Sequence, residues 1–132
     1  MDEHRPITVV TVDDTDAIRT LLKLVIELEP DMAVVGQASD GRRGVEMVAE
    51  HAPDVVLLDI AMPEMDGITA LPLIREASPA SRVVMLSGFG TDEIRRRCRD
   101  LGAVSFLDKG IIATSIVAEI RRAAQLDPVV GG

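Results

Sequence analysis
The chain has 132 residues, 47% of them hydrophobic, with a formal net charge of −8 and one cysteine. That length is the size of one domain, and the apolar content is ample for a core, which argues against disorder. The acidic balance argues against direct nucleic-acid binding, which needs clustered Lys and Arg, and the lone Cys98 excludes an internal disulfide.

Five apolar runs rich in β-branched residues alternate with five helical patterns. The first run is "ITVVTV" (7–12), followed by a helix whose apolar face is Ile18, Leu21, Leu22, Val25 and Ile26. Next come "AVVGQA" (33–38) and a helix marked by Val45, Val48, Ala49 and Ala52. "DVVLLD" (54–59) precedes a helix with Ile68, Leu71 and Ile74 on one face, and Pro72 inside it predicts a kink or a later start. "RVVMLS" (82–87) leads to Ile94, Cys98 and Leu101. "VSFL" (104–107) leads to Ile112, Ile116, Ile120 and Ala123. Most of the runs lack polar alternation, as strands covered on both faces do. Strict β-α alternation then predicts an α/β fold: a doubly wound, open, five-stranded parallel sheet with helices on both sides.

In such a sheet the crevice lies beyond the carboxyl ends of the strands. The first strand delivers Asp13 and Asp14 there, the third Asp59, the fourth Ser87 and the fifth Asp108 and Lys109. Adjacent carboxylates facing a third one repel unless a cation neutralises them. Mg²⁺, with its preference for oxygen ligands, fits that need. Asp59 could then attack phosphorus, with Lys109 and the metal taking up charge and Ser87 donating to a phosphoryl oxygen.

With these residues assembled, the chain resembles a response-regulator receiver domain of two-component signalling. The resemblance runs from about Ile7 to Leu126 and rests on "VDDTD", "LLDIAMPEMDG", "MLSG" and "FLDKG". It implies a flavodoxin-like (βα)5 fold with strand order 2-1-3-4-5. It also implies Asp59 as phosphoacceptor, loaded from a histidine kinase. Mg²⁺, or Mn²⁺ in its place, would be held by Asp13, Asp14, Asp59 and the backbone carbonyl of Ala61. Ser87 and Lys109 would contact the phosphoryl group, and Phe106 matches the aromatic that moves on activation. "EPDMAVVGQASDG" and "SRVVMLSGF" further resemble receivers of LuxR/FixJ-type regulators, although no DNA-binding domain is present in these residues. Residues 1–126 are thus the expected receiver, and 127–132 a flexible tail or linker stub. The expected output is a switched surface of the fourth helix, fifth strand and fifth helix, acting on a partner or a missing effector domain, with homodimerisation on activation as one form.

Two departures from the family pattern stand out. Gly110 follows the lysine where most receivers have a cis proline, which predicts a trans bond and a looser loop. Phe89 occupies a position that is often polar; a gate over the pocket, a partner contact and a side chain lying on its loop are all open to it, and flanking Gly88 and Gly90 predict a mobile backbone. Met62 and Met65 are expected to pack the loop after Asp59, His4 and His51 to be solvated, and the Arg95, Arg96, Arg97 and Arg99 series to form a solvated face or a charged docking patch.

Rival readings are a haloacid-dehalogenase-like phosphatase, a flavin mononucleotide binder of the same fold, and a receiver-fold module acting without phosphate. The first leaves "DIAMPEMDG" unexplained; the second would set an acidic pair against the flavin's phosphate. No run approaches the roughly 20 apolar residues of a membrane span, and "MDEHRP" lacks the apolar stretch of a signal peptide, so a cytoplasmic protein is expected.

Overall fold
The structure, a computed structural model, describes residues 5–127. His4 and the tail beyond Asp127 lie outside the described residues. The strands are β1 (Ile7–Val12), β2 (Met32–Ala38), β3 (Val55–Asp59), β4 (Arg82–Ser87) and β5 (Ser105–Asp108). The helices are α1 (Asp16–Glu27), α2 (Gly41–His51), α3 (Gly67–Ala77), α4 (Asp92–Asp100) and α5 (Ile112–Ala124). All strand pairings are parallel, in the order β2-β1-β3-β4-β5.

Period-two alternation sorts each strand between two cores. Val9, Leu57, Val84 and Leu86 point to the side covered by α1 and α5, through Leu22, Ile26, Ile116 and Ile120. Val10, Val12, Val56, Leu58 and Met85 point to the side of α2, α3 and α4, through Val48, Leu71, Ile74 and Cys98. Central β3 is buried at every position, and side chains such as Leu57 and Leu58 each contribute about 1.5–3 kcal/mol by leaving water. Met62 and Met65 pack against the second core, as their sequence position predicts.

Short polar residues start the helices. Asp40 caps α2 by accepting the Arg43 N–H at 2.8 Å, and Asp66 caps α3 by accepting the Thr69 N–H at 2.8 Å. That cap and the buried Ala70, Leu71 and Ile74 carry α3 unbroken through Pro72, so the helix starts at Gly67 and not later. The segment after β5 also differs from expectation. Its peptide bonds are trans, but it is not a loose loop: Lys109–Ile111 form a 3-10 turn that runs straight into α5. The Asp108 carboxylate accepts the Gly110 N–H at 2.7 Å and holds that turn closed.

Candidate functional site: an acidic cluster at the carboxyl edge of the sheet
Asp13 follows β1 and Asp59 ends the neighbouring β3, in register one step beyond the Val12–Leu58 pair. Both are buried, at 0% and 3% exposure, while Asp14 faces solvent. One carboxylate oxygen from each of Asp13, Asp14 and Asp59 falls within 4.8 Å of the others. Lys109, just past β5, reaches back over the sheet edge and places its Nζ 2.8 Å from Asp13 Oδ2 and 3.0 Å from Asp59 Oδ1.

The electrostatics are out of balance. Burial first, and then the Asp13 carboxylate, push Asp59 up to about 6, against the opposing pull of Lys109. For Lys109, burial favours the neutral amine, but hydrogen bonds to Asp13 and Asp59 outweigh it and hold the ammonium above its ordinary value. One ammonium faces three carboxylates, which leaves up to two negative charges uncompensated. A divalent cation would cancel that excess, and an all-oxygen donor set is the one Mg²⁺ or Mn²⁺ prefers, so the residues fit such an ion.

The other predicted residues lie around this centre at different removes. Ser87 ends β4, adjacent to β3, and its Oγ accepts the Phe89 N–H at 3.0 Å. Ala61 sits two residues past Asp59 in the exposed loop that leads to α3. Phe106 on β5 is not part of the carboxylate cluster. Its ring packs into the second core, with the Arg95 guanidinium 4.6 Å from the ring centroid. The ring also lies 2.6 Å from where a Gly90 Cβ would stand, so a side chain at residue 90 would displace it. Phe89 is 91% exposed, so its ring covers no pocket here.

Several contributors were not singled out from the sequence. Arg19 on α1 donates to the main-chain oxygen of Asp13 and to the Asp16 carboxylate, while the Thr15 N–H donates to Asp13 Oδ1 at 2.8 Å. The loop carrying the acidic pair is thereby fastened from the helix side. The i, i+3 spacing of Asp16 and Arg19 was the available signal. Gly67 is the second: a Cβ there would lie 2.1 Å from the Asp59 carbonyl oxygen, so only glycine lets α3 start against the end of β3.

An open parallel sheet with an acid-and-lysine cluster at its carboxyl edge is the architecture of a receiver. Residues 9–121 match the response regulator receiver domain family, and the chain belongs to it. The chain is 34% identical over 124 residues to the nitrate/nitrite response regulator protein NarL of Escherichia coli K12, covering 94% of this chain and 57% of that protein. It is 42% identical over 106 residues to protein-glutamate methylesterase/protein-glutamine glutaminase 2 of Pseudomonas aeruginosa, covering 79% of this chain and 30% of that one. The crystal structure of the response regulator domain of Thermotoga maritima CheB superposes with a TM-score of 0.87 at 38% identity, covering 94% of this chain and all of that one. The chain therefore spans between about a third and somewhat over half of these curated relatives. Among the described residues, no helix is long and apolar enough to cross a membrane.

Proposed function
We propose that Asp59 accepts a phosphoryl group from the phosphohistidine of a histidine kinase and that this chain uses the modification as a signal. What supports the reading is the placement of Asp59, at the end of the central strand and held between Asp13 and Lys109. An Asp59 carboxylate oxygen attacks phosphorus, the phosphorus–nitrogen bond breaks, and the imidazole leaves carrying a proton. Asp13, Asp14, Asp59 and the Ala61 carbonyl would hold Mg²⁺, which when bound offsets charge on the phosphoryl oxygens. Lys109 is close enough to follow the new anion from its present pairing, and Ser87 is one strand away. The chain acts on no other substrate in this reading; it promotes only its own phosphorylation and dephosphorylation, in the cytoplasm.

Signal output is a population shift. Reversing a 1:99 equilibrium takes about 5.5 kcal/mol of differential stabilisation. One hydrogen bond to a charged group supplies roughly 1.5–3 kcal/mol, so Ser87 and Lys109 must act together. Their loops carry Phe106 with them and remodel the surface of α4, β5 and α5, which acts on a partner or on an effector domain outside this chain. The relation to NarL favours a transcriptional effector of the LuxR type.

Incubation with acetyl phosphate or phosphoramidate and Mg²⁺, read by intact mass, tests the chemistry. One added phosphoryl group is expected, removed by hydroxylamine and absent from Asp59→Asn. Turnover of a generic phosphate ester would instead favour a phosphatase. Ser87→Ala should take up the group yet shift its elution volume or partner binding far less than the parent.

A further inference from the structure
Among the described residues, two buried side-chain oxygens are left short of hydrogen-bond partners: Thr11 Oγ1 and Asp13 Oδ2. Both residues are at 0% exposure. Strand alternation puts them on one side of the sheet, the side of α1 and α5, where Val9 and Leu57 also point. Thr11 stands opposite Leu57 on β3 and Gln37 on β2, and Asp13 lies one step past the Val12–Leu58 pair. Leu57 offers no polar side-chain atom, and Gln37 gives its Nε2 to the Arg19 main-chain oxygen at 3.2 Å. Asp13 is half satisfied. Its Oδ1 accepts the Thr15 N–H at 2.8 Å, whereas Oδ2 meets the Lys109 ammonium at 2.8 Å and no directed donor besides. A carboxylate oxygen has two lone-pair sites, so Oδ2 can accept one more.

We propose that one internal water joins the Thr11 hydroxyl to Asp13 Oδ2, which makes Thr11 a positioning residue for the cation-binding carboxylate. Residues two apart on one strand face are separated by about 6.6–6.8 Å along the strand. These two short side chains do not bond each other directly, and a separation of that size suits a water between them. Internal waters are found where buried polar groups would otherwise go unmatched, because a dry hydroxyl or carboxylate oxygen forfeits its bonds to solvent. The Thr11 hydroxyl donates to the water, and the water donates to Oδ2. Asp13 is thereby held from within the sheet, while Thr15 and Lys109 hold it from the rim. The inference rests on the phosphoacceptor reading, since the contact matters most when Lys109 follows a phosphoryl group and leaves Oδ2 without its ammonium. The water on Thr11 then keeps Asp13 aimed at a divalent cation. Partners of this kind behind a metal ligand are worth about 10–100-fold in metal affinity.

The test compares Thr11→Val, which keeps the shape and removes the hydroxyl, with Thr11→Ser, which keeps the hydroxyl, in the full chain. Mg²⁺ alone is titrated by isothermal calorimetry, and thermal melts are followed by circular dichroism in a chelator. Thr11→Val should weaken Mg²⁺ binding about tenfold, and Thr11→Ser should stay within about threefold of the parent. Thr11→Val should also melt below the parent. That direction is diagnostic, because a hydroxyl buried with no partner destabilises and its removal would raise the melting temperature. A higher-melting Thr11→Val, or one with the parent's affinity for Mg²⁺, overturns the proposal. Equal weakening by both variants overturns it too, since that would reflect packing and not the hydroxyl. A parent that binds no Mg²⁺ sinks the cation site of the phosphoacceptor reading, and the melts in chelator still decide for or against the water.

Discussion

Asp54 and Asp59 bracket the same strand, β3, and their surroundings are opposites. Asp54, at the amino end, is saturated with donors: its carboxylate accepts from the Thr8 N–H at 2.8 Å, the Thr8 hydroxyl at 3.1 Å and Arg5 at 3.0 Å, and its own N–H donates to the Thr8 hydroxyl at 3.0 Å. Asp59, at the carboxyl end, shares one ammonium with Asp13 and faces two like charges. The first arrangement ties β3 to β1 and leaves nothing to react. The second leaves an oxygen poorly compensated, which is the condition for a nucleophile that also attracts a cation. Residue type alone therefore says little; the count of donors separates a structural aspartate from a chemical one.

The contrast can be broken at four points. The largest effect should come from Gly67→Ala, which drives a methyl into the backbone of Asp59 and Ile60. We expect a loss of more than about 3 kcal/mol in urea unfolding, together with loss of phosphoryl uptake. Next is the pH dependence of the metal-free protein in a chelator. The folded pKa of Asp59, about 6, lies above its ordinary 3.8, so its stabilising contribution is present below that ordinary value and is lost as pH rises through about 6. Relative to Asp59→Asn, the parent should lose up to about 3 kcal/mol across that window, and added Mg²⁺ should restore much of it. A parent and variant that run parallel from acid to neutral pH would show Asp59 to be unstrained.

Asp54→Ala should act at the other end with the opposite character. We expect about 2 kcal/mol of destabilisation, from the donors it abandons, while phosphoryl uptake by the folded fraction is retained. Arg5→Ala should be smallest, below about 1 kcal/mol, because its side chain is largely exposed and Thr8 still satisfies the carboxylate. Thermal and urea melts of the two variants side by side check the order.

Much of this was legible in the chain itself. Unbroken β-branched runs identified the strands, and the polar residues that end β1, β3, β4 and β5 pointed to one edge because a parallel sheet aligns its carboxyl ends. What was not legible depends on register. Asp54 meets Thr8 only because β1 and β3 pair as they do, with Val9 opposite Val55, and no local pattern announces that. Arg19 finds the carbonyl of Asp13 through a helix–loop approach of the same kind. Pro72 allowed a later helix start that does not occur, because the Asp66 cap and the buried helix face begin α3 at Gly67. Gly110 misled likewise: the absence of proline suggested slack, but the Asp108 side chain supplies the closure.

The missing methyl at residue 90 carries a consequence of its own. The Phe106 ring rests in the space a side chain there would claim. Any larger residue must evict the ring or push its own loop outward, so the two positions trade volume. In the proposed switch, a bare glycine at residue 90 would therefore leave the ring its resting place, and enlarging that residue would bias the equilibrium before any phosphate arrives.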